Sequence, residues 1–323
     1  MTELEIRRYE PSDAPMWNDF VASARNATFL FNRGYMDYHA DRFADHSLIA
    51  MRRGKTAALL PANITADGIL HSHQGLTYGG WILPAKHFDC NDMLALFDVL
   101  ETYCRREGIK GIDYKPMPSI YASAPSDEAL YALWRQGARC TEANISATVD
   151  MTANPGYDSI QRSKLNRCTR MGAEVIELTT EEDIAIFHAM LTACLAQRHD
   201  ASPVHTLEEL LMLKNLFPNT IRFFATKLKD AFHATICVYD TQTVRHCQYT
   251  ATTPEGRKNN LLTPLTAYLM RTMLPGQRYF DFGTSNEDGG RVLNAGLYAY
   301  KASYGATGTL HARYYMEINT VTR

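Results

Sequence analysis

The sequence lacks a CxxC pair, a long apolar run and a strong net charge. Its seven cysteines are scattered and odd in number, which is typical of a reduced cytosolic protein with isolated thiols. No apolar run approaches the roughly 20 residues that span a bilayer. The first residues, MTELEIRRYEPSD, are charged and lack the apolar core of a secretion signal. We therefore expect a cytoplasmic protein without a membrane span, present as a monomer or homodimer.

The composition is that of a globular protein. Hydrophobic residues make up 46% and charged residues 21% of the 323 residues, which is enough chain for two domains with their own cores. The formal net charge of -2 calls for neither nucleic acid nor an anionic membrane as a bulk partner.

Strand and helix patterns alternate along the second half of the chain. Runs in which apolar and polar residues alternate, and short continuous apolar runs, predict strands. Capping motifs such as Thr206-Leu-Glu-Glu209 predict the starts of helices. In chain order we predict a strand at 172–178, helices opening at 180 and 206, strands at 221–228, 232–239 and 244–250, a polar loop at 254–260, a helix capped by Thr263, a strand at 279–283, a helix near 293–304 and a strand at 310–318. The predicted order is β-α-α-β-β-β-α-β-α-β.

The first half repeats this order with little shared sequence. Its predicted strands are 4–9, 47–52, 56–64, 69–77, 109–114 and 139–150, and its predicted helices are 15–24, 33–43, 91–107 and 126–136. Such a repeat indicates a duplicated fold. We expect mixed α/β domains at 1–153 and 154–323, with a basic helix at 159–171. An unrelated α+β fold with the same element order is the alternative.

Residues 279–306 read YFDFGTSNEDGGRVLNAGLYAYKASYGA: a strand ending in DFG, then NxGL, then a helix with K-x-x-aromatic-G. This resembles the C-terminal signature of the Fem-type and BioF2-like acyltransferases. SLIAMRRGKTAALLPANI, HSHQGLTYGG and DYKPMPSIYASAPSDEALYAL resemble the first-domain segments of the same group. The resemblance implies two tandem domains of the GNAT (acyl-CoA N-acyltransferase) fold, the second binding the donor and catalysing acyl transfer. It implies a first domain that is structural or binds the acceptor.

The GNAT resemblance places the donor where the fourth and fifth strands of a domain part, beside backbone amides of the next loop. An acetyl-CoA loop would read Q/R-x-x-G-x-G/A, whereas the sequence here is RKNNLL, so two small residues are missing. The loop is therefore a donor site for acyl-CoA, a site for another donor such as aminoacyl-tRNA, or a solvated turn. The predicted donor-binding residues are Arg257, Lys258, Asn259, Asn260, Gln248 and Tyr249.

Three residues are candidates for the chemistry. The resemblance assigns the motif lysine to Lys301, whose ammonium would stabilise developing negative charge, although a lysine at a helix border is commonly a surface residue. Asp281, between two phenylalanines, is either a tuned base or a structural carboxylate. His246 is a base candidate near neutral pH, or a structural strand histidine.

Polar residues near predicted strand ends form the candidate acceptor site. They are His73, Tyr78, Lys115, Arg198, His205, Ser285, Asn286 and Asn294. A Gly- and His-rich loop shapes a ligand site, and loops at strand ends collect binding groups, but Ser and Asn at such positions also cap helices. His199 and His205 have no third partner in the sequence, so we expect no metal.

The leading hypothesis is transfer of an acyl group from acyl-CoA (acetyl-CoA) to an amine of a cell-envelope or polysaccharide precursor, a sugar or peptide acceptor. The acceptor class rests on the resemblance. The basic helix 159–171 and the altered loop favour an aminoacyl-tRNA-dependent enzyme as the alternative. The missing glycines also allow a catalytically inactive GNAT-fold binding protein.

Overall fold

The computed structural model describes residues 4–153, 155–199 and 201–318, without the side chains of 198 and 199. The chain divides into two compact units. The first comprises Met1–Ile145, Asn286–Val292 and Leu310–Arg323, and the second comprises Ser146–Ser285 and Leu293–Thr309. This division differs from a cut between 153 and 154, because strand residues before 153 belong to the second unit and two later segments belong to the first.

The elements of the first half are β1 (Leu4–Arg8), α1 (Ala14–Ser23), α2 (Arg33–Met36), β2 (Leu48–Arg52), β3 (Lys55–Leu60), β4 (Asn63–Ile64), β5 (Ile69–His71), α3 (Cys90–Arg106), β6 (Gly111–Tyr114), α4 (Glu128–Arg135) and β7 (Arg139–Asp150). Those of the second half are α5 (Ser159–Arg170), β8 (Glu174–Leu178), α6 (Glu181–His199), α7 (Leu207–Leu216), β9 (Ile221–Leu228), β10 (Ala231–Asp240), β11 (Val244–Thr252), α8 (Pro254–Lys258), α9 (Leu262–Arg271), β12 (Tyr279–Thr284), β13 (Asn286–Glu287), β14 (Val292–Leu293), α10 (Ala295–Ala302) and β15 (Thr307–Glu317).

In the first unit, β1, β2 and β3 form one antiparallel sheet, and β4, β5, β6 and β15 pair in that order. The β5–β6 pair is parallel. Helix α3 shows how the sequence sets this packing: Asp89 makes a capping box at its start, and one face, including Leu96, Phe97 and Leu100, is buried in the core.

In the second unit, strands pair in the order β7, β12, β11, β10, β9 and β8. The β11–β12 pair is parallel, as β5–β6 is in the first unit, and the other pairs are antiparallel. Leu265 and Leu269 of α9 pack with Phe224, Ile236 and other strand residues in the core of this unit. Each unit thus contains a meander followed by a parallel pair.

Four local predictions need correction. The strand predicted at 56–64 is interrupted at Pro61, which has no N–H for a ladder. The strand predicted at 69–77 ends at His71, because His73 has a φ of 68°. The helix predicted at 33–43 is α-helical only to Met36. The predicted polar loop at 254–260 contains α8, which Thr253 caps.

The start of α9 also differs from the prediction. Thr263 does not cap this helix; Leu261 precedes its first residue, Leu262. The Thr-Pro signal for a helix start occurs ten residues earlier, at Thr253 and Pro254, where it is used. Among the described residues, no helix combines the length and apolar character required to cross a lipid bilayer.

Candidate active site

Strands β11 and β12 separate part-way along their length. They pair at only three positions, the last joining His246 and Asp281. β11 continues to Thr252, while β12 bends: its register with β7 shifts between Asp281 and Thr284, and Gly283 has a φ of 78°. Positive φ is accessible to glycine without strain. The bend therefore opens a gap between two neighbouring strands of one sheet.

A cavity of about 520 Å³ lies at this gap, within the second unit. β11 lines it from Cys247 to Thr252, and α8, α9 and α10 provide further walls. The β11 register skips Gln248, which lies opposite no residue of β10. Such a bulge residue is left out of the ladder, so its main-chain groups are available to a ligand. Other lining residues include Leu195, Ile236, Arg257, Asn260, Thr263, Thr266, Phe282, Leu297, Tyr300 and Lys301.

Lys301 lines the cavity and holds the bend of β12. Its side chain is buried, and its Nζ donates hydrogen bonds to the carbonyl oxygens of Gly283 at 2.8 Å and Thr284 at 2.7 Å. Burial lowers the pKa of Lys301 to about 8, partly offset by the nearby Asp281. The ammonium therefore acts at two places: it supports the bend of β12 and it forms part of the cavity wall.

His246 and Asp281 form a pair at the point where the strands separate. The Oδ2 of Asp281 is 2.8 Å from Nδ1 of His246. Asp281 is fully buried, and its Oδ1 also accepts hydrogen bonds from Ser146 and, at 3.0 Å, from Thr148 on β7. The carboxylate fixes the ring orientation of a histidine that retains partial exposure. Asp281 is therefore placed to position His246 rather than to meet a substrate.

The predicted donor loop is partly helical and adjoins the cavity. Asn260 adopts a φ of 59°, the left-handed conformation expected of glycine, which asparagine tolerates better than most residues. Asn260 and Arg257 line the cavity, and Arg257 donates to the carbonyl oxygen of Thr252 at 2.7 Å. The thiol of Cys168, on the basic helix α5, donates to the carbonyl oxygens of Asn259 and Asn260. Lys258 is exposed at the end of α8.

The sequence reasoning missed a group of tyrosine and threonine hydroxyls in this site. Tyr300, Thr263 and Thr266 line the cavity, and the Tyr300 hydroxyl lies 3.2 Å from that of Tyr304. Burial raises the pKa of Tyr300 well above its usual value, so the phenol stays protonated at neutral pH. The available signal was the position of Tyr300, directly before the motif lysine on the same helix.

The other predicted residues of the second unit have mainly structural contacts. The Tyr249 hydroxyl is hydrogen-bonded to Nδ1 of His205, and Ser285 is buried. Asn294 caps α10 by accepting from the backbone N–H of Leu297. The side chain of Arg198 lies outside the described residues.

In the first unit, Tyr78 is buried and its hydroxyl donates to that of Thr28. Asn286 accepts from the backbone N–H of Ile145. His73 and Lys115 line a depression with room for one water molecule, and the Lys115 ammonium donates to the carbonyl oxygen of Leu76. Across the described parts of the chain, no three His, Cys, Asp or Glu side chains are grouped as metal ligands.

Residues 159–302 match the family model described as an acetyltransferase (GNAT) domain. FemX has 12% identity and a TM-score of 0.68, with 98% of each chain covered. The C-terminal domain (DUF2156) of a putative lysylphosphatidylglycerol synthetase from Agrobacterium fabrum has 16% identity and a TM-score of 0.59, over 95% of this chain and 92% of that one.

A tandem GNAT protein from the clavulanic acid biosynthesis pathway has 13% identity and a TM-score of 0.55, over 99% of this chain and 100% of that one. No curated protein matches this chain. The structural similarities concern the fold, and they confirm the predicted mixed α/β architecture with two tandem domains.

Proposed function

We propose that this chain is an acyltransferase of the GNAT superfamily that transfers an acyl group from acyl-CoA to an amine, since residues 159–302 match the GNAT acetyltransferase domain model. The acceptor is a small molecule, a sugar or a peptide precursor of the cell envelope or of a polysaccharide. The observation that carries the donor assignment is the gap between β11 and β12, which opens onto the cavity. The acceptor class rests on the resemblance to Fem-type enzymes.

The cavity suits an extended thioester donor. It follows β11 from Cys247 to Thr252, a length of about 17 Å at the usual rise of a strand. Arg257 and Asn260 follow the Thr252 end, where a phosphate-bearing group would bind. Cys247, beside Lys301 and Tyr300, marks the other end, where the thioester would lie. Most of the intervening walls are uncharged, as an uncharged arm requires.

The reaction is a direct attack without a covalent enzyme intermediate. His246, oriented by Asp281, takes a proton from the acceptor amine, whose nitrogen attacks the thioester carbonyl carbon. The main chain at Gln248 stabilises the tetrahedral oxyanion, and the Lys301 ammonium adds a positive charge nearby. The C–S bond then breaks, and Tyr300 donates its phenolic proton to the departing thiolate.

A second candidate donor is aminoacyl-tRNA. Helix α5 exposes Arg162, Arg167 and Arg170, and it contacts the donor loop through Cys168. An exposed basic helix beside the donor loop would bind tRNA phosphates with a strong salt dependence. The same arginines would equally contact the nucleotide part of CoA.

Binding measurements with purified protein separate these donors. We expect acetyl-CoA and CoA to raise the melting temperature, and charged tRNA to bind weakly or not at all at moderate salt. Arg257→Ala should weaken CoA binding, whereas Arg271→Ala, at the end of α9, should not. Tight binding of charged tRNA with no response to CoA would overturn the acyl-CoA assignment. Binding of neither donor would favour an inactive binding protein.

A further inference from the structure

A buried hydrogen-bond network joins α5, α9 and α10 behind the cavity. Gln161 of α5 lies at its centre and is only 3% exposed. Its Oε1 accepts from the Tyr304 hydroxyl at 3.2 Å and from the Thr263 hydroxyl at 3.2 Å, and Tyr304 lies 3.2 Å from Tyr300. Tyr300 and Thr263 line the cavity, whereas Tyr304 is fully buried. The network therefore reaches the cavity at Tyr300 and at Thr263.

The hydrogen bonds of Ser303 fix the orientation of the Gln161 amide. The Ser303 hydroxyl donates to the backbone carbonyl oxygen of Tyr300 at 2.6 Å. Because the Ser303 proton is used in that bond, the Ser303 oxygen acts as an acceptor toward Gln161, and it accepts from Nε2 of Gln161 at 2.9 Å. Since the amide NH₂ faces Ser303, the amide oxygen must face Tyr304 and Thr263. Gln161 is an acceptor on that side.

Two proton arrangements satisfy this geometry. When Tyr304 donates to Gln161, the Tyr304 oxygen can accept from Tyr300, whose proton then points away from the cavity. When the Tyr304 hydroxyl rotates toward Tyr300, the Tyr300 proton is directed to a ligand and Thr263 still satisfies Gln161. A rotation of one buried hydroxyl thus changes Tyr300 from a donor within the protein to a donor into the cavity.

We propose that Tyr304 and Gln161 are positioning residues for acyl transfer, with the Tyr304 hydroxyl turning from Gln161 to Tyr300 as Tyr300 gives up its proton. This inference rests on the proposed function, in which Tyr300 protonates the leaving thiolate. The sulfur takes the electron pair of the C–S bond and the Tyr300 proton. The Tyr300 phenolate then accepts a hydrogen bond from Tyr304, and solvent reprotonates it through the open cavity after the thiol leaves.

The need for such a partner follows from the burial of Tyr300. Desolvation raises the pKa of Tyr300, the contact with Tyr304 in its present arrangement raises it further, and a hydrogen bond with Thr266 lowers it only in part, so a phenolate at this position would be costly to form. A hydroxyl donor at hydrogen-bond distance stabilises the phenolate selectively, because this bond is stronger to an anion than to a neutral phenol. The contribution appears in the transition state for C–S cleavage, and it therefore affects kcat more than KM.

The test uses Tyr304→Phe and Gln161→Leu, with Tyr298→Phe of the same helix as the matched control. Steady-state kcat and KM are measured with acetyl-CoA and with phenyl thioacetate, whose aromatic thiol leaves without help from an acid. An amine acceptor that the wild-type protein uses is held constant. We expect Tyr304→Phe to lower kcat with acetyl-CoA by about tenfold or more, with KM and melting temperature nearly unchanged. The loss with phenyl thioacetate should be less than about threefold.

Gln161→Leu should show the same donor-dependent loss to a smaller degree, because Thr263 remains as an alternative acceptor for Tyr304. Tyr298→Phe should behave as wild type with both donors. Equal losses with both thioesters, or no loss in Tyr304→Phe, would overturn the positioning role while leaving the proposed function intact. Wild-type protein that turns over no acyl-CoA would overturn the proposed function, and this inference with it.

Discussion

Replacing Lys301 with methionine removes both contributions of its ammonium, the support of the β12 bend and the positive charge at the cavity wall. Lys301→Met keeps the length of the buried side chain and removes the donor to Gly283 and Thr284. The bend of β12 then loses its side-chain support, and the cavity loses a positive charge. We expect turnover to fall by at least about tenfold, as for loss of one group that stabilises developing charge.

The effect on stability is the difference between two opposing terms. Two hydrogen bonds from a charged donor contribute about 3–6 kcal/mol in total. Lowering the pKa of Lys301 from 10.5 to about 8 corresponds to a cost of about 3 kcal/mol for keeping the ammonium buried. The net loss in Lys301→Met is therefore about 0–3 kcal/mol at pH 7, small enough for the protein to remain folded.

The assay combines urea denaturation with acyl-CoA turnover. Lys214→Met, which removes an α7 lysine that donates to the carbonyl oxygen of Pro218, serves as control for turnover. The cost of the buried ammonium is fully present below pH 8. It is relieved as pH rises toward 10.5, because the unfolded lysine then binds a proton that the folded one has lost. Wild type should gain stability relative to Lys301→Met over this interval. Normal turnover in Lys301→Met, or the opposite pH trend, would refute the reasoning.

Three further substitutions test the site and its support. Asp281→Asn removes the carboxylate that orients His246 and should lower kcat/KM by at least about a hundredfold; an unchanged pH–rate profile would contradict the pairing. Arg245→Met leaves the buried carboxylate of Asp240 without its bidentate partner, and urea denaturation should show a loss of about 3–5 kcal/mol. A loss below about 1 kcal/mol would show that this ion pair is dispensable. Gly283→Ala forces a side chain onto a φ of 78°, with its Cβ 3.4 Å from the His246 ring, and should cost about 1–2 kcal/mol and reduce turnover; wild-type values for both would show that the bend tolerates other conformations.

Much of the fold was predictable because its strands carry strong local signals. β9 was predicted at its observed limits, and β10 and β11 within two residues, since apolar runs and the Lys229-Asp230 turn define them. Local patterns could not show that β7 contributes to the second unit, because strand partners are set by tertiary packing.

The candidate site was predictable in part. The motif around Lys301 located the cavity wall, and the strand register brought His246 and Asp281 together as neighbours. The sequence did not reveal the Gln248 bulge or the partners of Asp281, because Ser146 and Thr148 lie about 135 positions away. Tyr78 is buried, which the sequence did not indicate, because an aromatic residue in a Gly-rich segment is compatible with both a ligand loop and a core.

The strand that anchors Asp281 is encoded before the apparent linker at residues 154–156. A gene fragment starting at that linker would omit Ser146 and Thr148, and the antiparallel neighbour of β12 with them. A second half expressed from this boundary would therefore lack the side chains that hold Asp281, and Asp281 in turn orients His246.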